Sequence, residues 1–296
     1  MMDVVITDTK ARRWNWFRRR VFRFQVPQAW HEVQDPRRWF AVAIADPARA
    51  RAALLRTLIP WRLRARMGEA DWAALLLQLN WVDAQSNCTN VPVAKYRHRG
   101  RWYYGPQPDG ASTTCGEFAV ADEHYRAAVK GDQTAAQTLA AILYREADTD
   151  TAAANKRGDV RVPFFHQNEA TARVQQQGEI PPDIQVAAML YFSGLKAWVS
   201  RVYGPYIFDQ QDDDDTPGLD NVEPDHTPQP TASNGPNFGW WGVLQGVAES
   251  GTFGTLEQVY QAGLHEVCIF LVRKKAEHDR AMEQIRANSP QTNTLA

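Results

Sequence analysis

Cys115 and His124 are the first pair whose residue types could do chemistry, a thiol nucleophile with an imidazole base. Such a pair must meet within roughly 3 Å. Nine residues apart on one helix, they share an azimuth but stand about 13 Å apart along the axis. No group that would orient the imidazole is evident, so a buried or cap-region cysteine is expected. The histidines form no HxxxH or HExxH: His31-Glu32 and His265-Glu266 lack the second histidine four positions on that a zinc site needs. The run "DQQDDDDTPGLDNVEPD" (209–225) offers hard oxygen ligands to calcium, yet it lacks the EF-hand order of D-x-[DN]-x-[DN]-G with a glutamate at position 12. It reads as a solvated loop, and Asp122-Glu123 as charge on a helix surface.

Glycines gather in "GWWGVLQG" and "GTFGT", between 239 and 255. A phosphate cradle needs GxxxxGK[ST] or GxGxxG between a strand and a helix. Neither pattern is present, and no Lys or Arg lies between Val202 and Val272 to meet a phosphate. The lone G-x-x-G at Gly251–Gly254 sits in acidic sequence, unlike an RNA-clamping loop. Trp240, Trp241, Val243, Leu244 and Val247 fall instead on one helical face, which predicts packing or protein contact.

The N-terminal stretch interleaves cations with aromatics: Arg12, Arg13, Trp14, Trp16, Arg18, Arg19 and Arg20. Arginine meets phosphate and aromatic rings stack on bases, so nucleic acid is one partner class for this arm. No helix-turn-helix, zinc-finger or RNA-binding signature accompanies it, which ranks an acidic protein surface first. Charge distribution agrees. Residues 1–70 hold fifteen Lys and Arg against six Asp and Glu, whereas 202–272 holds eleven Asp and Glu and no Lys or Arg. Either one end meets an acidic partner, or the two ends meet between subunits of a homo-oligomer.

The elements that must position these residues are mainly helical. "VFRFQV" (21–26) alternates with period two and ends at Pro27, a strand or extended arm. Asp35-Pro36 and Asp46-Pro47 each place an N-cap before a proline at the first helical position. Leu54, Leu55, Leu58 and Ile59 form an apolar stripe that Pro60 should break. A helix follows over 67–82, with Trp72, Leu75, Leu76, Leu79 and Val82 inward. "AKYRHRGRWYYGP" predicts a hairpin turning at Arg99-Gly100, with Tyr96, Trp102 and Tyr104 available for cross-strand packing. Thr114 with Glu117 reads as a capping box, and Asp132 caps a helix over 132–147. A loop with a little helix near 168–177 precedes a strong helix over 182–203, whose inward residues are Val186, Met189, Leu190, Leu195 and Val199. Thr255 caps a further short helix, and the last runs over 264–287.

The expected fold is therefore mainly α: a helical core with a short N-terminal β arm or hairpin and a C-terminal helical module. Its organisation is a basic aromatic arm (1–27), the core (28–208), an acidic Pro/Gly-rich linker or long loop (209–236), the module (237–287) and a tail (288–296). Three widely spaced cysteines fit a reducing compartment, no apolar run approaches the roughly 18 residues of a membrane span, and the charged N-terminus does not resemble a secretory signal. A soluble cytoplasmic chain is expected. No acid–base, nucleophile or ligand set stands at usable spacing, so neither enzyme activity, nor a cofactor, nor a metal is expected.

Several stretches resemble an uncharacterised group of proteins from tail-region gene clusters of phages and prophages. They are "FRFQVPQAWHEV" (22–33), "CGEFAVADEHYRAAVKGD" (115–132) with "LAAILYREAD" (139–148), "GDVRVPF" (158–164) and "WWGVLQGVAESGTFGTLEQVYQAGLHEVCIFLVRKKAE" (240–277). Together they cover about a third of the chain. The resemblance implies a tail structural or assembly-chaperone role, with other tail or particle proteins as partners and a place in the cytoplasm during assembly or in the virion. It carries over no active site.

Overall fold

The computed structural model describes residues 2–7, 21–26, 69–78, 88–164, 167–207 and 239–288, with single positions between 32 and 67. The expected linker 209–236 and the arginine–tryptophan stretch 8–20 lie outside the described residues. Strand β1 (Met2–Thr7) pairs antiparallel with β2 (Val21–Val26), so the period-two segment at 21–26 is a strand and its partner is the N-terminal hexapeptide. Helix α1 spans Glu69–Gln78 and buries Leu75, with Trp72 and Leu76 half-buried beside it.

Strands β3 (Lys95–His98) and β4 (Arg101–Tyr104) form the expected hairpin. Its two-residue turn, Arg99 (φ 48°) and Gly100 (φ 83°), needs positive φ at both positions, which matches the twist of the flanking strands. Tyr96 pairs with Tyr103 rather than with Trp102 or Tyr104, because the even loop sets a register that leaves Trp102 opposite Arg97. Tyr96 stacks on Tyr103 at 5.3 Å and meets Tyr144 edge-on at 5.4 Å.

Helix α2 (Cys115–Val129) starts at Thr114, whose hydroxyl accepts from the Glu117 amide at 3.2 Å. Helix α3 (Gln133–Leu143) starts at Asp132, which accepts from the amides of Thr134 and Ala135. It ends four residues earlier than expected. Tyr144 turns extended, and β5 (Arg145–Glu146) joins β4 as the third strand of a small antiparallel sheet. Helix α4 (Thr151–Arg157) occupies what reads in sequence as loop, yet Asp150 before it and Gly158 after it are ordinary start and stop signals. Helix α5 spans Gln167–Gln177.

Helix α6 (Pro182–Ile207) is the central rod. Its buried face carries Ile184, Ala187, Ala188, Tyr191, Leu195 and Val199, while Val186, Met189 and Leu190 are only half-buried. The face is turned by about one residue from the expected one because small residues, not large ones, lie where neighbours come closest. A Cβ on Gly194 would stand 2.4 Å from the backbone oxygen of Cys88. Helices α7 (Gly239–Glu249), α8 (Leu256–Gln261) and α9 (Leu264–Asn288) complete the described chain. Their Leu244, Val259, Leu264 and Val267 belong to one core with Phe118, Leu139 and Phe192. The fold is mainly α with short β elements, as the sequence predicts.

Gly194→Ala tests the close approach. A methyl against immovable backbone should cost about 1–3 kcal/mol of unfolding free energy, read as a lowered urea midpoint at unchanged slope.

Candidate functional site

The densest group of charged side chains in the described residues is buried. Glu117 in the first turn of α2 accepts from Arg161 Nη1 through Oε1 at 3.1 Å and from Arg145 Nη2 through Oε2 at 2.8 Å. Arg161 also gives its Nε–H to Asp159, its Nη1 to the Leu143 carbonyl at 2.8 Å, and its Nη2 to Asp159 at 2.8 Å and Ser112 Oγ at 3.3 Å. All five guanidinium hydrogens therefore have acceptors. Arg145 stands 3.7 Å from Asp159 and 6.0 Å from the Phe164 ring centroid, and its Nε lacks a hydrogen-bond partner.

Two cations and two carboxylates make the cluster neutral, which is the condition for burying charge. Burial opposes the charge on Arg161, but Glu117 and Asp159 outweigh it and raise its pKa. Burial and the adjacent Arg161 push Arg145 down to about 10, still a cation at neutral pH. Asp159 is disfavoured as an anion by burial, yet the hydrogen bonds and charge of Arg161 and the charge of Arg145 leave its pKa below the usual value. With Arg161 fully covered and Glu117 1% exposed, no reactant reaches these groups; the arrangement fastens elements together.

Sequence reading assigns Glu117 to a capping box. Its backbone amide does meet Thr114, but its carboxylate turns inward to the arginines instead of back to the cap. The misreading has a physical source: glutamate at the third helical position suits both roles, and only the distant Arg145 and Arg161 decide between them. Asp122 is a second correction. Expected on the helix surface, it is 3% exposed and pairs with Arg126 and, at 3.3 Å, with Lys196 of α6.

Cys115 and His124 do not form a catalytic pair. The Cys115 sulfur lies 3.9 Å from the Gly263 carbonyl, and burial drives its pKa well up, with Cys268 and Glu266 adding to the shift. Burial lowers the His124 pKa against the opposing charges of Glu123 and Asp132. Cys88 and Cys268 are likewise pushed up to about 12 by burial. Among the described residues no group of three or more His, Cys, Asp or Glu could hold a metal ion, and no helix is long and apolar enough to cross a membrane.

Of the residues expected to make contacts, Arg12, Arg13, Trp14, Trp16, Arg18, Arg19 and Arg20 lie outside the described residues. Trp240 is placed inside the chain, edge-on to Phe118 at 4.9 Å and 8% exposed. Trp241 is half-buried against Tyr260 at 5.4 Å. In the glycine-rich stretch, Gly254 (φ 85°) makes room for the Gln258 side chain, which closes a capping box with Thr255. No family model, curated protein or solved structure matches the chain.

Two outcomes follow from the cluster. Arg161→Met leaves the buried Glu117 and Asp159 to share one cation, Arg145, and should cost about 3–5 kcal/mol, measured by denaturant unfolding. Asp159 contributes stability that is complete above its unfolded pKa, about 3.9, and is lost as pH falls through its lower folded value. Acid titration of the thermal midpoint should therefore drop below about pH 4, and Asp159→Asn should start lower and flatten that part of the curve.

Proposed function

We propose that the chain is a non-enzymatic structural or assembly protein of a phage tail or related particle, acting through protein–protein contacts that include contacts between its own copies. The resemblance of the five quoted stretches to tail-region proteins supports the particle; the N-terminal ribbon carries the contact. Its register pairs Met2 with Val26, Val4 with Phe24 and Ile6 with Phe22, three apolar pairs of a two-stranded sheet. Among the described residues no third strand joins it. A lone ribbon is marginal in water, and three strands or a packed face are needed for stability. A neighbouring subunit supplies that cover in this reading.

The sequence between the two strands holds Arg12, Arg13, Trp14, Trp16, Arg18, Arg19 and Arg20, a cationic segment that suits an acidic neighbour. Residues 202–272 of another copy, without Lys or Arg, have the complementary charge. Helix α9 adds exposed Ile269 and Met282 as secondary apolar contacts. Assembly takes place in the cytoplasm in this reading, with the particle as the destination.

Light scattering of the full chain should give a discrete oligomer. It should fall to monomer for a chain lacking residues 1–24, and for Phe22→Glu with Phe24→Glu, and should weaken as salt rises. A monomer at every salt concentration would remove self-association and leave only contact with a different protein.

A further inference from the structure

The β3–β4 hairpin has chemistry on its solvent side that neither the core nor the assembly reading uses. Lys95, Arg97, Arg99 and Arg101 fall within seven residues, and all four are exposed. Trp102 shares a face with Lys95 and Arg97, 46% exposed although tryptophan is usually covered, while Arg101 falls on the Tyr103 side and the Arg99 guanidinium lies against Gly178. Register puts Arg97 directly opposite Trp102, and the Lys95 ammonium lies 5.1 Å from its ring centroid. Only one cation is neutralised by a carboxylate in the sheet, Arg101 by Glu146 at 2.9 Å.

The other face makes this a fixed platform. Tyr96 and Tyr103 are 1% and 2% exposed, and Tyr96 donates to Gln177 Oε1 at 3.3 Å while Gln177 donates to the Tyr144 carbonyl at 3.0 Å. The ribbon is thus bolted to α5 and to the end of α3, and Trp102 is held outward by the period-two alternation. Alternate residues on a strand are about 7 Å apart. Lys95 and Arg97 therefore match the spacing of successive phosphates along an extended single strand, with a flat ring beside them for a base.

We propose that this face, formed by Lys95, Arg97 and Trp102, binds single-stranded nucleic acid. One unstacked base lies on Trp102 and the flanking phosphates pair with the cations. A base in a duplex is stacked on its neighbours and cannot offer its face to the indole, so the site selects single strands. The dimensions favour this class of partner over an acidic protein. Each strand is four residues, about 13 Å, enough for two or three nucleotides. A stable protein interface needs on the order of 1,000 Å² with an apolar centre, and Trp102 is the hairpin's sole exposed large apolar residue.

The test is fluorescence anisotropy of labelled dT20 and rU20 with the full chain, against a labelled duplex and with poly-glutamate as competitor. Single strands should bind with strong salt dependence and better than duplex; the two labelled strands report whether DNA or RNA is preferred. Trp102→Ala should weaken binding at least about fivefold while Trp102→Phe retains most of it. Arg97→Ala should reduce the magnitude of the salt slope by about 0.7. Circular dichroism and thermal midpoints of the variants should match the parent, since these side chains are exposed. Absence of binding overturns the proposal. So does binding unchanged by both substitutions, which would place the affinity in the arm at 12–20. Preference for poly-glutamate, insensitive to Trp102→Ala, would make the face a contact for acidic protein instead.

Discussion

The fold depends on where one carboxylate points. Glu117 stands in the first turn of α2, where the positive end of the helix dipole favours an anion, and it faces two arginines from distant segments. Arg161 in turn donates to the Leu143 carbonyl, one of the last carbonyls of α3, which have no partner within their own helix. A single guanidinium thus links the start of one helix to the end of the next and, through Ser112, to the turn before α2. This geometry also accounts for the early end of α3. The chain leaves the helix at Tyr144, Arg145 pairs with Glu117, and Glu146 joins the edge of β4. The sheet's third strand is a consequence of the ion cluster as much as of strand propensity.

A second set of contacts ties the C-terminal helices to the same place. The Cys115 amide donates to the Ala262 carbonyl and the Leu264 amide to the Thr113 carbonyl, both at 3.0 Å. The first of these satisfies an amide that α2 cannot pair internally; the second fixes where α9 begins. His265, one residue on, bridges Tyr203 of α6 at 3.1 Å and the Asp109 carbonyl at 2.9 Å. Segments separated by more than a hundred residues therefore converge on residues 109–117. Composition alone suggests an appended C-terminal module, yet these helices share the interior with α2 and α6.

Local signals were legible, and long-range ones were not. Caps at Thr114, Asp132 and Thr255, the Arg99-Gly100 turn and the strand at 21–26 each depend on neighbours within a few residues, so spacing reveals them. Reading α6 by the size of its apolar residues put Val186 and Met189 inward, whereas Ala187, Ala188 and Gly194 occupy the closest contacts. Small residues mark tight packing only once the facing backbone is known. Glu117 reads as a cap and Asp122 as surface charge because nothing local distinguishes such carboxylates from ones paired with a distant cation, Arg145 and Arg161 being 28 and 44 positions from Glu117. The basic residues of the β3–β4 hairpin were visible but were absorbed into a turn assignment. Only the register, which buries Tyr103 and turns Trp102 out, gives Lys95 and Arg97 a common face with Trp102.

The two ribbons illustrate how similar compositions acquire different physical roles. Each combines arginine and tryptophan with a short antiparallel pair, and each is too small to be stable alone. The β3–β4 ribbon is covered by its own chain: the stacked Tyr96 and Tyr103, the edge of Tyr144 and the Gln177 bonds fill its inner side. Its outer cations and indole consequently stand on a backbone fixed from the inner side, so in the proposed binding only exposed side chains would need ordering. The β1–β2 ribbon has three apolar pairs by register, and the proposed subunit contact would cover it only on assembly. Part of the contact energy would then go into ordering the ribbon itself, which makes the contact weaker for its area and more sensitive to salt and concentration. In the proposed assembly reading that weakness would keep copies apart until a particle forms, whereas a platform for a flexible polymer gains from being rigid.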